Sequence, residues 1–214
     1  MTDTQDQTTY DLDVYFDFLC PFAYQGSEWL REVREQLGPD RLKITWRYFP
    51  LDQVNSTGGP DWKYWEQDDE AIAASRGGEG FRGALAARQQ GDELFEKFHQ
   101  AWFRARHGDL RVNGKRPTVD AVAESVGLDM DRFRADKADR SLLSKIGEDY
   151  EHGRDTVGVF GVPTLVFSGG ESAYVKVRPK PPTEDALAVW REVTAPVLNR
   201  PYLTEIKRPT SPGE

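Results

Sequence analysis

The sequence predicts an α/β fold interrupted by a large helical insertion. Three observations carry this reading. Strand, helix and strand patterns fill the first fifty residues; a long central block shows helical signals alone; and short β-rich runs with a final helix return near residue 160. The order is β-α-β, helical insert, β-β-α, with residues 10–55 and 153–198 forming one unit, 56–152 the insert and 199–214 a C-terminal tail.

The first element is YDLDVYFDF, residues 10–18. Leu12, Val14, Phe16 and Phe18 fall on one side, and Asp11, Asp13, Tyr15 and Asp17 on the other, the alternation of a half-buried strand. A helix follows from Pro21, because proline suits the first helical position; Ala23, Trp29, Leu30, Val33 and Leu37 make its apolar stripe, and Gly38-Pro39 stops it. In LKITWRYFPL, Leu42, Ile44, Trp46 and Tyr48 alternate again as a strand. Past the loop NSTGGPDWKYWEQDD, Leu94, Phe98, Ala101, Trp102 and Ala105 recur at helical spacing. Thr118 caps a helix bearing Val119, Val122, Ala123 and Val126 that Gly127 ends, and Asp129 opens the next. Leu142, Leu143, Ile146 and Tyr150 form a further stripe. Two β-rich runs, 164–168 and 173–177, flank the hairpin turn Ser168-Gly169-Gly170-Glu171. Thr183 and Glu184-Asp185 open a last helix with Leu187, Trp190 and Val193 inward, which Pro196 ends or bends. The final residues, KRPTSPGE, have nothing to pack against and are expected to be mobile.

At 214 residues, 38% hydrophobic and 30% charged, the chain is long enough for a full core. Its net charge of -8 argues against nucleic-acid binding, since phosphate-binding surfaces show a basic excess. The start, MTDTQDQTTYD, has neither the basic nor the apolar segment of a secretory signal, and no stretch is long and apolar enough to span a membrane. A lone cysteine forms no internal disulfide, which suits a reducing cytoplasm, where we expect the protein to act. Nothing fixes its oligomeric state, and a dimer is compatible with the sequence.

That cysteine, Cys20, sits between a strand end and a helix start. A thiolate there feels the partial positive charge of free N–H groups, which lowers cysteine pKa values toward ~3.5 to 7.5. A value of roughly 6.5 would raise the thiolate fraction at pH 7 from about 3% to about 75%. On this reasoning Cys20 is alkylated at pH 6 far faster than free cysteine.

The stretches FDFLCPFAY (16–24), AARQQGDELFEKFHQAWF (86–103), VAESVGLDMDRF (122–133) and GVFGVPTLVF (158–167) resemble the DsbA-like thioredoxin family. The similarity spans about residues 10 to 195. It is nearest to the branch of FrnE-like oxidoreductases, with 2-hydroxychromene-2-carboxylate isomerases and kappa-class glutathione transferases further off. The resemblance implies a thioredoxin-like fold, with Cys20 as nucleophile facing a cis-proline at Pro163. It also implies that Val162 offers backbone groups to a bound thiol peptide. Pro21, Phe22 and Ala23 beside the thiol, and Thr164 after the proline, complete the implied thiol-binding set.

One departure matters. Many members carry a second cysteine two residues after the proline, where this chain has Ala23. Without that thiol the cycle must be monothiol: Cys20 attacks a disulfide or electrophile, and a low-molecular-weight thiol such as glutathione, mycothiol or bacillithiol releases the product. Attack on a peroxide, giving a sulfenic acid, uses the same parts. No tightly bound cofactor or metal is expected.

Two other readings stay open. The isomerase and transferase branch usually has serine at this position, which orients a bound thiol without reacting covalently. A non-catalytic adaptor or holdase would use the same groove to grip a protein. Trp62, Tyr64 and Trp65 either line a pocket for a flat substrate or pack their loop onto the insert. His99, His107 and His152 lack metal-ligand spacing, and His99 is expected on the partly exposed side of its helix.

Overall fold

A computed structural model describes residues 8–108 and 115–208. Its four-stranded sheet has the order β2-β1-β3-β4, from β1 (Tyr10–Phe16), β2 (Leu42–Tyr48), β3 (Thr164–Phe167) and β4 (Ser172–Tyr174). β1 and β2 run parallel, from Tyr10 opposite Leu42 to Phe16 opposite Tyr48, joined by α1 (Pro21–Leu37) as the crossover that parallel strands require. β3 returns antiparallel to β1, with Val14 opposite Leu165, and the β3-β4 hairpin closes the edge. α1 stops at Gly38, whose φ of 100° suits glycine.

α9 (Ala186–Asn199) lies beside α1, tied by the Trp29 indole N–H donating to the Ala186 carbonyl at 3.0 Å. Pro196 lies inside α9 without ending it: the carbonyl its missing N–H would have met belongs to Glu192, an exposed residue. The expected tail mobility falls largely on residues 209–214, outside the described residues.

The middle of the chain is helical, as its periodicity predicts. Short α2 (Leu51–Val54) and α3 (Asp69–Ala74) lead into α4 (Gly78–Arg88), α5 (Asp92–His107), α6 (Val119–Ser125), α7 (Met130–Ala138) and α8 (Ser144–His152). Thr118 and Asp129 cap α6 and α7 through their side-chain oxygens. α4 is the centre of this layer, and at Gly83 an added Cβ would fall 2.7 Å from Phe98 and 2.8 Å from Val119, so only glycine permits the approach.

Three residues depart from the expected pattern: Tyr15, His99 and, beside the cysteine, Asp17. Tyr15, on the nominally polar side of β1, is fully buried because the turn at Gly153 after α8 covers that face. His99 is likewise 0% exposed, not on the surface. Its ring sits among Phe16, Trp46 and Phe103, and its Nδ1 accepts from Arg31 at 2.7 Å. Arg31 also donates to Glu96 at 2.6 Å, and the Trp46 indole reaches the other Glu96 oxygen at 2.7 Å. α1, α5 and β2 are thus joined by a buried polar network, in which Arg31 Nε and His99 Nε2 have no hydrogen-bond partner among the described residues. With Nδ1 accepting, the imidazole proton sits on Nε2, and burial beside Arg31 drives the His99 pKa well below its ordinary value.

Candidate active site

Cys20 is the N-cap of α1. Its backbone is extended (φ -84°, ψ 115°), its N–H closes a turn onto the Asp17 carbonyl at 3.1 Å, and its sulfur accepts the Ala23 N–H at 3.4 Å. Pro21 supplies the first helical residue, whose N–H would have had no partner in any case. On the other side Cys20 meets the loop before β3, where the Val162–Pro163 peptide is cis and the thiol donates to the Val162 carbonyl at 3.3 Å. α1 seats directly on that proline: a Cβ on Gly26 would lie 3.1 Å from Pro163 Cγ. Two stretches 142 residues apart in sequence therefore share one contact.

The sulfur is nearly enclosed, at 7% exposure for the residue. Burial pushes its pKa up, the Asp17 charge adds to this, and the N–H groups of Ala23 and Phe22 with the Lys176 ammonium pull the other way without prevailing. This corrects the expectation of a depressed thiol pKa and of fast alkylation at pH 6. The helix start does contribute donors, but desolvation of the anion outweighs them, and a carbonyl aimed at the sulfur favours S–H over S⁻.

Asp17, three residues before the cysteine, is 0% exposed although strand alternation places it on the polar side. Its two oxygens accept the N–H groups of Leu19 and Leu51, each at 2.6 Å, so it pins both the Cys20 loop and the start of α2. Burial nevertheless raises its pKa to about 7. The signal was present in DFLC: a carboxylate at a strand end, followed by a turn with free N–H groups, is placed to accept them.

Around the rim, Lys176 lies 4.6 Å from the Phe22 ring centroid and 5.1 Å from that of Tyr174, while Phe160 is 71% exposed and packs edge-on to Tyr174. His107 donates from Nε2 to the Phe18 carbonyl at 2.7 Å and stacks on Tyr24, tying the end of α5 to the Cys20 loop. Thr164 is buried, and its hydroxyl donates to the Gly161 carbonyl at 2.7 Å, shaping the proline loop from within. Trp62 and Trp65 take the packing role: Trp62 folds over Gly58, and Trp65 over Gly147 and Tyr150 of α8. Their ring partners belong to their own loop and to α8, so the structure gathers Pro21, Phe22, Ala23, Val162 and Pro163 at Cys20 and leaves the two tryptophans aside. Among the described residues no group of three His, Cys, Asp or Glu side chains could hold a metal ion, and no helix is long and apolar enough to cross a membrane.

A thiol at a helix start, opposed by a cis-proline loop on a four-stranded mixed sheet, defines a thioredoxin-like protein. A family model of the DSBA-like thioredoxin domain matches residues 11–182, and the chain belongs to that family. An uncharacterized protein of Mycobacterium tuberculosis is 33% identical over 208 residues, covering 95% of this chain and 84% of that one. Among solved structures, a probable DsbA oxidoreductase from Streptomyces coelicolor superposes with TM-score 0.57 at 17% identity, covering 94% of each chain. A 2-hydroxychromene-2-carboxylate isomerase superposes with TM-score 0.58 at 19% identity, covering 91% of this chain and 99% of that one. At such identities these structures speak for the fold.

Proposed function

We propose that the protein is a monothiol thiol-disulfide oxidoreductase of a reducing cytoplasm, with Cys20 as nucleophile and a low-molecular-weight thiol as cosubstrate. The observation that carries this is the Cys20 sulfur between the Ala23 N–H and the Val162 carbonyl, with a methyl group at residue 23 where a second thiol would stand. In the first step Cys20 sulfur attacks one sulfur of a disulfide R–S–S–R; the Cys20–S–S–R bond forms, the S–S bond breaks, and RS⁻ leaves and takes up the thiol proton. In the second, the thiolate of the small thiol attacks the R sulfur, restoring Cys20 and releasing the new mixed disulfide. The sum of the two steps is R–S–S–R plus R′–SH giving R–SH plus R–S–S–R′; a second small thiol attacking that mixed disulfide completes the two-electron reduction to R–SH and R′–S–S–R′, and Cys20 ends as it began.

The raised thiol pKa needs an activating event. A substrate amide that donates to the Val162 carbonyl competes with the Cys20 S–H for the same acceptor, and its loss removes one of the contacts favouring the protonated sulfur. Activation then accompanies binding, and the resting thiol stays protected from oxidation.

The same neutral thiol favours a second reading. A buried S–H able to donate and accept would orient the sulfur of a bound thiol, as a transferase or isomerase requires, and the fold shared with an isomerase agrees with this.

Intact mass after incubation with oxidised small thiols tests the proposal: one adduct, lost in Cys20→Ser and reversed by the free thiol, is expected. No adduct after prolonged incubation, with activity kept by Cys20→Ser, would refute covalent exchange and leave the second reading.

A further inference from the structure

The rim of the Cys20 site combines an exposed apolar surface with an unpaired cation, and thiol exchange by itself needs neither. Tyr174, opposite Thr164 in the β3-β4 ladder, packs on the proline loop: a Cβ on Gly161 would meet its ring at 3.3 Å. The next residue, Val175, donates its N–H to the Pro163 carbonyl at 3.1 Å, so Lys176 leaves the sheet directly beside the cis-proline. Its ammonium is held by two rings, 4.6 Å from the Phe22 centroid and 5.1 Å from that of Tyr174. Phe22 belongs to the first turn of the cysteine helix, and Phe160 packs edge-on to Tyr174 with ring centroids 5.0 Å apart. Three rings and one ammonium, from α1, the proline loop and the end of β4, thus form one surface at Cys20.

Packing does not account for this surface. Phe160 is 71% exposed; before residue 200, Val54 at 40% is the only other exposed large apolar side chain among the described residues. A ring left in water gains nothing for the fold, and contiguous apolar surface on a folded chain marks a place where another molecule sits. The charge is equally unclaimed. From Ser172 to Pro182 the chain carries Lys176, Arg178 and Lys180 and no acidic residue. Lys180 is paired with Glu32 at 2.5 Å, whereas Lys176 has ring faces and no carboxylate partner among the described residues. Asp17, the carboxylate that acts on Cys20, is fully buried with both oxygens on backbone N–H groups and is not at the surface to pair with it. Ring faces fix an ammonium in place yet leave its N–H donors free, which suits it to a ligand anion. Lys176 also acts electrostatically on the Cys20 sulfur, so cation and nucleophile share one neighbourhood.

We propose, on the reading of Cys20 as an exchange centre, that Phe22, Phe160, Tyr174 and Lys176 seat the R group of the substrate disulfide, and that this group joins an apolar body to a carboxylate. The apolar body lies on the rings and the carboxylate on the ammonium. The bond changes are those of the exchange described above, and the four side chains take no part in them. The seat belongs to the substrate and not to the small thiol, because glutathione, mycothiol and bacillithiol carry no apolar body to cover the rings.

The test measures exchange rates of the full chain with four disulfides that cross charge with ring: dithiodibenzoate (aromatic, anionic), dithiodipyridine (aromatic, neutral), dithiodiglycolate (aliphatic, anionic) and hydroxyethyl disulfide (aliphatic, neutral). Each rate is divided by that of free cysteine, which removes the intrinsic reactivity of the disulfide. The anionic and the aromatic member of each pair are each expected to be favoured by about threefold or more at low salt. Lys176→Gln should abolish the charge preference and keep the ring preference, and so should ~1 M salt. Phe160→Ala should do the reverse. Ratios separate recognition from activation, since a change in the thiol itself alters all four rates alike. Equal slowing of all four in Lys176→Gln, a ring preference untouched in Phe160→Ala, or a wild-type chain lacking one of the two preferences overturns the proposal and leaves exchange intact. If none of the four reacts with the wild-type chain, exchange itself fails and the proposal falls with it.

Discussion

Replacing Asp17 with asparagine separates the cost of its charge from the value of its hydrogen bonds. An acid moved from 3.8 to about 7 resists ionisation in the folded state by about 4 kcal/mol, at ~1.4 kcal/mol for each tenfold change. The sign follows from proton counts: between pH 3.8 and about 7 the folded chain holds this proton and the unfolded chain does not. Asp17 therefore subtracts stability as pH rises through that window, and the full penalty is present above it. Asparagine has no such penalty, but its amide nitrogen faces one of the two N–H groups that Asp17 now accepts, and an orphaned buried donor costs about 1–3 kcal/mol. At pH 5, where Asp17 is mostly protonated, Asp17→Asn is expected to destabilise the protein by roughly that amount. At pH 8.5 it is expected to stabilise it by about 1–3 kcal/mol, the difference between the two effects. Urea unfolding of both proteins at the two pH values reads this directly, and loss of the Asp17 charge should also speed iodoacetamide alkylation of Cys20 at pH 8. A stability difference of the same sign and size at both pH values would refute the reasoning.

Other substitutions probe the remaining parts. Ala23→Cys places a thiol where its backbone already touches the Cys20 sulfur, and an internal disulfide is expected, seen in mildly oxidising buffer as an intact mass lower by two hydrogens. Gly26→Ala gains about 1 kcal/mol of helix propensity but presses on Pro163, a strain of ~1–3 kcal/mol, so unfolding should show little net gain while adduct formation at Cys20 slows. His99→Phe keeps a ring but leaves the Arg31 Nη2 donor without its acceptor while the Arg31–Glu96 pair stays, and should cost about 1–3 kcal/mol at pH 7 by chemical denaturation. That deficit should shrink at pH 5: the folded His99 pKa lies below its unfolded value, so the native protein loses stability as pH falls below 6.5, and phenylalanine does not.

What the sequence determined was the order of elements and the place of the lone cysteine at a helix start. Alternation in 10–16 and 42–48, the helix start at Pro21, the caps at Thr118 and Asp129 and the glycine turn before residue 172 are local signals, and local backbone chemistry honours them. The pairing of Cys20 with Pro163 was legible only through likeness to a family, because nothing local in GVPT points across 142 residues. Tertiary structure alone decided the state of the sulfur. A helix start by itself predicts an easily ionised thiol, but whether water, a carbonyl or a carboxylate surrounds that sulfur depends on which segments close over it. The Val162 carbonyl, the buried Asp17 and an almost complete loss of solvent reverse the sign. His99 and Asp17 were misplaced for the same reason: periodicity assigns a face to a residue, and only packing shows whether that face is covered.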